Sequence, residues 1–139
     1  MSESTCIFCQ IIRKEAPASI VYEDAQVAAF LSNHPVNIGH TLVVSKKHYS
    51  DIYEIPEEEA AHLFKIAKRI TRAVKEATGI EAIRIVQNNG KDAGQVVFHF
   101  HVHVIPMKPQ GQLRLENGFR LRDLLEKDAE KIRQRLNEA

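Results

Sequence analysis

Apolar and polar positions change their spacing along this 139-residue chain, and the changes mark out its elements. Ile7 and Ile11, with Phe8 and Ile12, fall at helical spacing, so residues 6–14 predict a short amphipathic helix that Pro17 closes. Residues 20–23 and 26–31 read as two strands around the turn Glu23-Asp24-Ala25, and residues 41–44 as a third after a loop ending in Gly39-His40. This early stretch predicts a β-meander. Pro56-Glu57-Glu58-Glu59 then suits the positive end of a long helix. Its apolar stripe is Leu63, Ile66, Ala67, Ile70, Val74 and Ala77, and Gly79 supplies a stop. That helix is expected to cover the sheet.

Residues 82–86 and 96–105 read as an antiparallel hairpin joined by the Asn- and Gly-containing loop 87–95, with Pro106 ending the last strand. Residues 107–118 read as irregular, and Leu121, Leu124, Leu125, Ile132 and Leu136 predict a helix over about 120–137. The expected class is α+β: an antiparallel sheet of about five strands with the long helix and the short amino-terminal helix packed against it, on one face.

With 44% hydrophobic residues, the chain reads as one domain over 1–139, with a core over 6–106 and a carboxy-terminal segment over 107–139. Acidic and basic residues are interleaved to a net charge of +1, which gives no footprint for non-specific nucleic-acid binding. No apolar run approaches the roughly 18 residues of a membrane span, and the first residues lack a basic region followed by an apolar core. The expectation is a cytoplasmic protein with neither nucleic acid nor membrane as partner.

The chemistry concentrates in His99-Phe100-His101-Val102-His103-Val104-Ile105. Strand alternation puts three imidazoles on one face and Phe98, Phe100, Val102 and Val104 on the other. Histidine serves as nucleophile, proton carrier or metal ligand near neutral pH. Three readings compete. All three could ligate one ion, but the outer pair starts about 13 Å apart. They could divide the work, one attacking and another assisting. They could also simply face solvent on an edge strand. In the loop just upstream, Gly90 and Gly94 permit successive N–H groups to point into one concavity, a setting that suits phosphate as well as an ordinary turn. An imidazole beside such a cradle can attack phosphorus directly. The only cysteines, Cys6 and Cys9, form a C-x-x-C pair, which in a reducing compartment is a redox pair or half a zinc site.

Several of these motifs, in this order, resemble the histidine triad (HIT) family of nucleotide hydrolases and transferases. They are the histidine strand, Asn88-Asn89-Gly90 and Ala93-Gly94-Gln95 before it, Gly39-His40-Thr41-Leu42-Val43-Val44, Lys46-Lys47-His48, and a Cys6-Ile7-Phe8-Cys9 start like that of many bacterial members. The resemblance spans residues 6–106. It implies that His101 is the nucleophile that takes the nucleoside monophosphate. His103 contacts phosphate oxygens or the leaving group, and His40 lies against the same site. Asn88, Gly94 and Gln95 match the phosphate-site loop, and Phe30 and Ser32 the sugar-side segment. Two positions depart from the family's pattern. Val96 stands where a hydroxyl is common. Ser32 stands where a carboxylate or amide commonly binds the ribose, with Asn33 expected to point the other way.

The resemblance also gives the cysteines partners. Cys6, Cys9, His48 and His99 match a closed, structural Cys2His2 zinc site, one zinc per chain, with no catalytic metal expected. The implied function is cleavage at the α-phosphate of AMP or GMP conjugates such as purine nucleoside phosphoramidates, through a covalent nucleotidyl-His101, in a homodimer. Hydrolysis of dinucleoside polyphosphates is the chemically equivalent alternative. A non-catalytic nucleotide-binding or interaction protein is another, kept open by Val96 and Ser32. A hydrolase with catalytic zinc on His99, His101 and His103 is a third. His62 reads as a partly exposed surface residue, His34 as a simple loop residue or, as the alternative, one flanking the nucleotide, and Lys46-Lys47 as solubilising or substrate-steering charge.

Overall fold

The computed structural model describes residues 3, 5–109, 115 and 118–138. Its elements are α1 (Ile7–Ile12), β1 (Ile20–Glu23), β2 (Val27–Leu31), β3 (Thr41–Ser45), α2 (Glu57–Thr78), β4 (Ala82–Val86), β5 (His101–Met107) and α3 (Arg122–Asn137), with one 3-10 turn, Lys91–Ala93, before β5. The five strands form one sheet in the order β1-β2-β3-β5-β4, and every neighbouring pair is antiparallel. The β-meander and the hairpin both form as expected; β5 then inserts between β3 and β4.

Every residue of β2 and β3 is buried, because both faces of the sheet are covered. On one face Val27, Ala29, Leu31, Val43, Phe100, Val102 and Val104 pack with Leu63, Ile66, Ile70 and Val74 of α2 and with Leu125, Ala129 and Ile132 of α3. Each fully buried Val, Leu, Ile or Phe side chain among these contributes about 1.5–3 kcal/mol relative to exposure. On the other face Ala28, Phe30, Leu42 and Val44 pack with Phe8, Cys9 and Ile11 of α1. The expectation that all helices share one face is therefore corrected. The strands alternate apolar residues toward both sides, and the second side needs its own cover. α2 starts where expected, with Pro56 as its N-cap and three glutamates in its first turn, and Gly79 ends it at φ 72°.

The histidine strand differs from its expected limits. β5 starts at His101 rather than at residue 96, and Pro106 lies inside it, opposite Ile83 of β4. β3 pairs with β5 only as far as Val104, so Pro106 stands where the ladder runs on one side alone, a setting that tolerates a missing N–H. Residues 96–100 are irregular; there the Phe100 N–H donates to the Tyr49 carbonyl (2.6 Å), and His99 turns toward the cysteines.

Gly39 precedes His40 at φ +95°, and a Cβ there would stand 2.8 Å from Thr78 Cγ2 and 3.2 Å from Val74 Cγ1. Gly39→Ala is therefore expected to cost about 1–3 kcal/mol through strain and overpacking. Urea unfolding measures it; an unchanged midpoint contradicts this packing.

Candidate active site

β5 lies beside β3 with His101 opposite Val44 and His103 opposite Leu42. Phe100, Val102 and Val104 point into the main core, so His101 and His103 face the side of α1. Their rings stand 4.9 Å apart between centroids. Phe8 meets His101 edge-on at 5.0 Å and Phe30 at 5.4 Å, so α1 props the apolar side of the imidazole.

Hydrogen-bond partners assign the tautomers. His101 Nδ1 lies 2.6 Å from the His99 carbonyl oxygen, which only accepts, so Nδ1 carries the proton and Nε2 keeps its lone pair. The Val36 N–H donates to His40 Nδ1 at 3.0 Å, which leaves the His40 proton on Nε2. That Nε2–H reaches His103 Nδ1 at 3.1 Å and so places the His103 proton on its own Nε2. The site therefore pairs a bare nitrogen on His101 with an N–H on His103. His40 meets the site through its contact with His103.

Burial, then the charges His103 and His101 would carry, push the pKa of His40 down to about 3. Burial, then His101, lowers that of His103 to about 4. Burial also lowers that of His101, against the bond to the His99 carbonyl, which raises it. His40 and His103 are thus neutral in the fold where an unfolded chain protonates them, near pH 6.5. Below that pH the unfolded state binds more protons, so stability is full above about pH 6.5 and falls on acidification toward the folded values. Thermal melts between about pH 7 and 5 are expected to show this loss, and His103→Gln to flatten it. An equal slope in both proteins contradicts the assignment.

A cavity of about 410 Å³ opens in front of these rings. His101, His103, Gly94, Val96 and Val97 line it, together with the apolar Ile7, Phe8, Ile11 and Phe30. Ser32, Asn33, His34 and Arg122 also line it. Asn33 is a correction: β2 ends at Leu31, so strand alternation no longer applies and Asn33 lines the cavity with Ser32. His34, a loop residue for which a place beside the nucleotide is the alternative reading, lines it as well, its ring 3.9 Å from that of Phe119. Val96 is 82% exposed at the cavity mouth and offers no hydroxyl. Gly94, at φ +94°, packs against Asn88, whose amide nitrogen lies 3.5 Å from where a Cβ would stand. Gln95 points inward instead: its Oε1 accepts from the Gly90 N–H (2.8 Å) and its Nε2 donates to the Ser50 (2.6 Å) and Val97 (3.2 Å) carbonyls. Its side chain braces the loop. His40 is held behind His103 and, with Asn88 and Gln95, lies outside the cavity lining.

Behind His101, Cys6, Cys9, His48 and His99 bring four donor atoms within 4.8 Å of one another. Cys6 Sγ lies 3.3 Å and Cys9 Sγ 3.5 Å from His99 Nδ1, and Cys9 Sγ lies 3.2 Å from His48 Nδ1. Bonds of about 2.3 Å to sulfur and 2.0–2.1 Å to nitrogen place tetrahedral ligands about 3.3–3.8 Å apart. His99 Nε2–H donates to the Ser45 carbonyl at 2.6 Å, which fixes the tautomer that frees Nδ1 for a metal. Burial, then the neighbouring Cys6 thiol, pushes Cys9 up to about 12, a cost that a cation in the centre offsets. The donor set fits a metal ion with all four positions supplied by protein.

Periodicity had signalled Phe8 as a helix-face residue without giving it a place beside His101. Arg122 carried no signal at all, since the hydrogen bond that brings it to the site, from its Nη2 to Ser19 Oγ (2.8 Å), spans 103 positions. His62 is partly exposed as expected, but it also pairs with Asp24 at 2.6 Å.

The HIT domain model matches residues 13–110. Among curated proteins, the adenylylsulfatase HINT3 of Arabidopsis thaliana is 36% identical over 131 residues, 94% of this chain and 66% of that one. The adenosine 5'-monophosphoramidase hnt1 of Schizosaccharomyces pombe is 36% identical over 115 residues, 83% of each. A Zn-bound histidine triad family protein from Mycobacterium smegmatis superposes with a TM-score of 0.86 at 34% identity, covering 99% of this chain and 96% of that one. The matched span holds His40, the phosphate-loop residues and all three histidines of the triad, and on these grounds the chain belongs to the HIT family.

Proposed function

We propose that this chain is a nucleotidyl hydrolase or transferase that cleaves the α-phosphate bond of purine nucleoside monophosphate conjugates, AMP-X or GMP-X, phosphoramidates among them. The observation that carries this reading is the unprotonated Nε2 of His101 at the cavity, with its other nitrogen tied to the His99 carbonyl. The Nε2 lone pair attacks the α-phosphorus, and X leaves on the opposite side with the electron pair of the P–X bond. His103, whose proton sits on Nε2, supplies a donor for a phosphate oxygen or the leaving atom. Water or another acceptor then displaces the nucleotide from nitrogen; with water, the two steps add one water across P–X. Gly94 and its neighbours lie where phosphate oxygens would seek backbone donors. Two relatives named for adenylyl conjugates support this substrate class.

The Cys2His2 cluster, on this reading, holds one structural zinc that ties α1 to the residues leading into β5. The protein acts as a homodimer: β4 is an edge strand, and its exposed Ile85 shares a groove with the exposed Phe64 of α2, an apolar patch that a second copy would cover. Sedimentation is expected to give twice the chain mass.

AMP release from adenosine 5'-phosphoramidate, measured beside diadenosine tetraphosphate, tests the reaction. Faster turnover of the first is expected. Release from neither, by protein that binds AMP, would favour the non-catalytic alternative.

A further inference from the structure

The sugar end of the cavity differs from its catalytic end in charge. Of its described lining residues none is a carboxylate, and Arg122 is the one permanent cation. Ser32 takes the place where the family's acid or amide meets the ribose hydroxyls. A serine hydroxyl can neither grip two hydroxyls as a carboxylate does nor repel an anion.

Arg122 is held beside this segment by its surroundings. The Arg120 N–H donates to the Asn33 carbonyl at 2.9 Å, and Phe119 packs on His34. The Arg122 guanidinium donates to Ser19 Oγ at 2.8 Å, and the Ser19 carbonyl in turn accepts from the N–H of Leu31, the residue before Ser32. The segment 119–122 thus runs along residues 31–34. Glu126 lies near enough to feel the Arg122 charge, but its ion pair is with Arg133, at 2.6 Å, and no carboxylate is ion-paired with Arg122 among the described residues. An arginine has five donors, and one of them meets Ser19. A guanidinium in place of a carboxylate is also how dinucleotide-binding sites turn from ribose hydroxyls to a ribose phosphate.

We propose that this site takes nucleotide conjugates whose ribose carries a phosphate on its 2' or 3' oxygen, with Arg122 binding that phosphate and Ser32, Asn33 and His34 beside it. The proposal rests on the nucleotidyl reading above and names its substrate class more narrowly. Arg122 is then a specificity-determining residue, remote from the bond that breaks.

Calorimetric binding of AMP, adenosine 2',5'-bisphosphate and adenosine 3',5'-bisphosphate to the full chain tests it. One bisphosphate is expected to bind at least about tenfold tighter than AMP, because a charge-assisted pair with Arg122 is added. Which one tells whether the 2' or the 3' phosphate is read. Arg122→Ala is expected to bring that ratio close to one, Arg122→Lys to keep part of it, and Ser32→Asp to reverse it. AMP binding as tightly as both bisphosphates would overturn the proposal and leave the nucleotidyl reading intact. A preference that survives Arg122→Ala would overturn the role of Arg122. Binding of none of the three, with no release of AMP from the phosphoramidate, would overturn both.

Discussion

Replacing His101 with alanine is expected to lower AMP release from adenosine 5'-phosphoramidate by at least about 10³-fold, while AMP still binds. The size follows from what is lost. His101 carries the unprotonated nitrogen at the cavity, with its ring held between Phe8 and the His99 carbonyl. The His103 proton lies on the nitrogen a donor needs, and Nδ1 is engaged by His40, so His103 cannot substitute as nucleophile without reversing the relay. AMP affinity is expected to survive because the apolar lining, Ile7, Phe8, Ile11 and Phe30, remains in the variant. Single-turnover rates and equilibrium binding of AMP separate the two effects. A variant that keeps a tenth or more of the rate would remove His101 from the chemistry.

Loss of the zinc proposed for the Cys2His2 cluster is expected to have the second-largest effect, on stability before chemistry. α1 has six residues, too few for an isolated helix to hold together, and two of the four cluster ligands, Cys6 at its N-cap and Cys9 inside it, anchor it to the sheet. The same helix supplies Phe8 to His101. Cys9→Ser, or stripping the metal with a chelator, is therefore expected to lower the melting temperature by on the order of 10 °C or more. Mass spectrometry should find one zinc per chain. Activity should fall only as α1 is released, in step with the loss of near-ultraviolet circular dichroism. Metal-free protein with an unchanged melting temperature would end the assignment. Rapid inhibition by a chelator with the fold intact would move the metal to the reaction itself.

Periodicity made most of the architecture legible, because amphipathic faces leave a local record. The stripe of α2 matches its buried residues except that Ala73 is buried and Ala77 only partly so, and β1 to β4 lie within a residue of the spans that alternation and turns predict. β5 was misplaced at both ends for reasons that are not local. Residues 96–100 have strand-forming side chains, yet the contacts of His99 with Cys6 and Cys9 and the bond of Phe100 to Tyr49 bend them out of the sheet. Pro106 looked like a stop, but β3 ends before reaching it. Alternation still placed His101 and His103 on one face, and the two cysteines and two histidines meet as the family resemblance implies. The Gln95 bond to Ser50, the Asn33 bond to Arg120 and the Arg122 bond to Ser19 depend on contacts distant in sequence. No spacing rule could show them.

The most direct test of nucleotidyl transfer through His101 is the stereochemistry at phosphorus. An adenosine 5'-phosphoramidate analogue made chiral with sulfur on the α-phosphorus is hydrolysed in ¹⁸O-labelled water, and the configuration of the released thiophosphate is read. Two in-line displacements, by His101 and then by water, predict overall retention, whether or not the intermediate accumulates. Inversion would mean that water attacks in a single step, and would contradict the account.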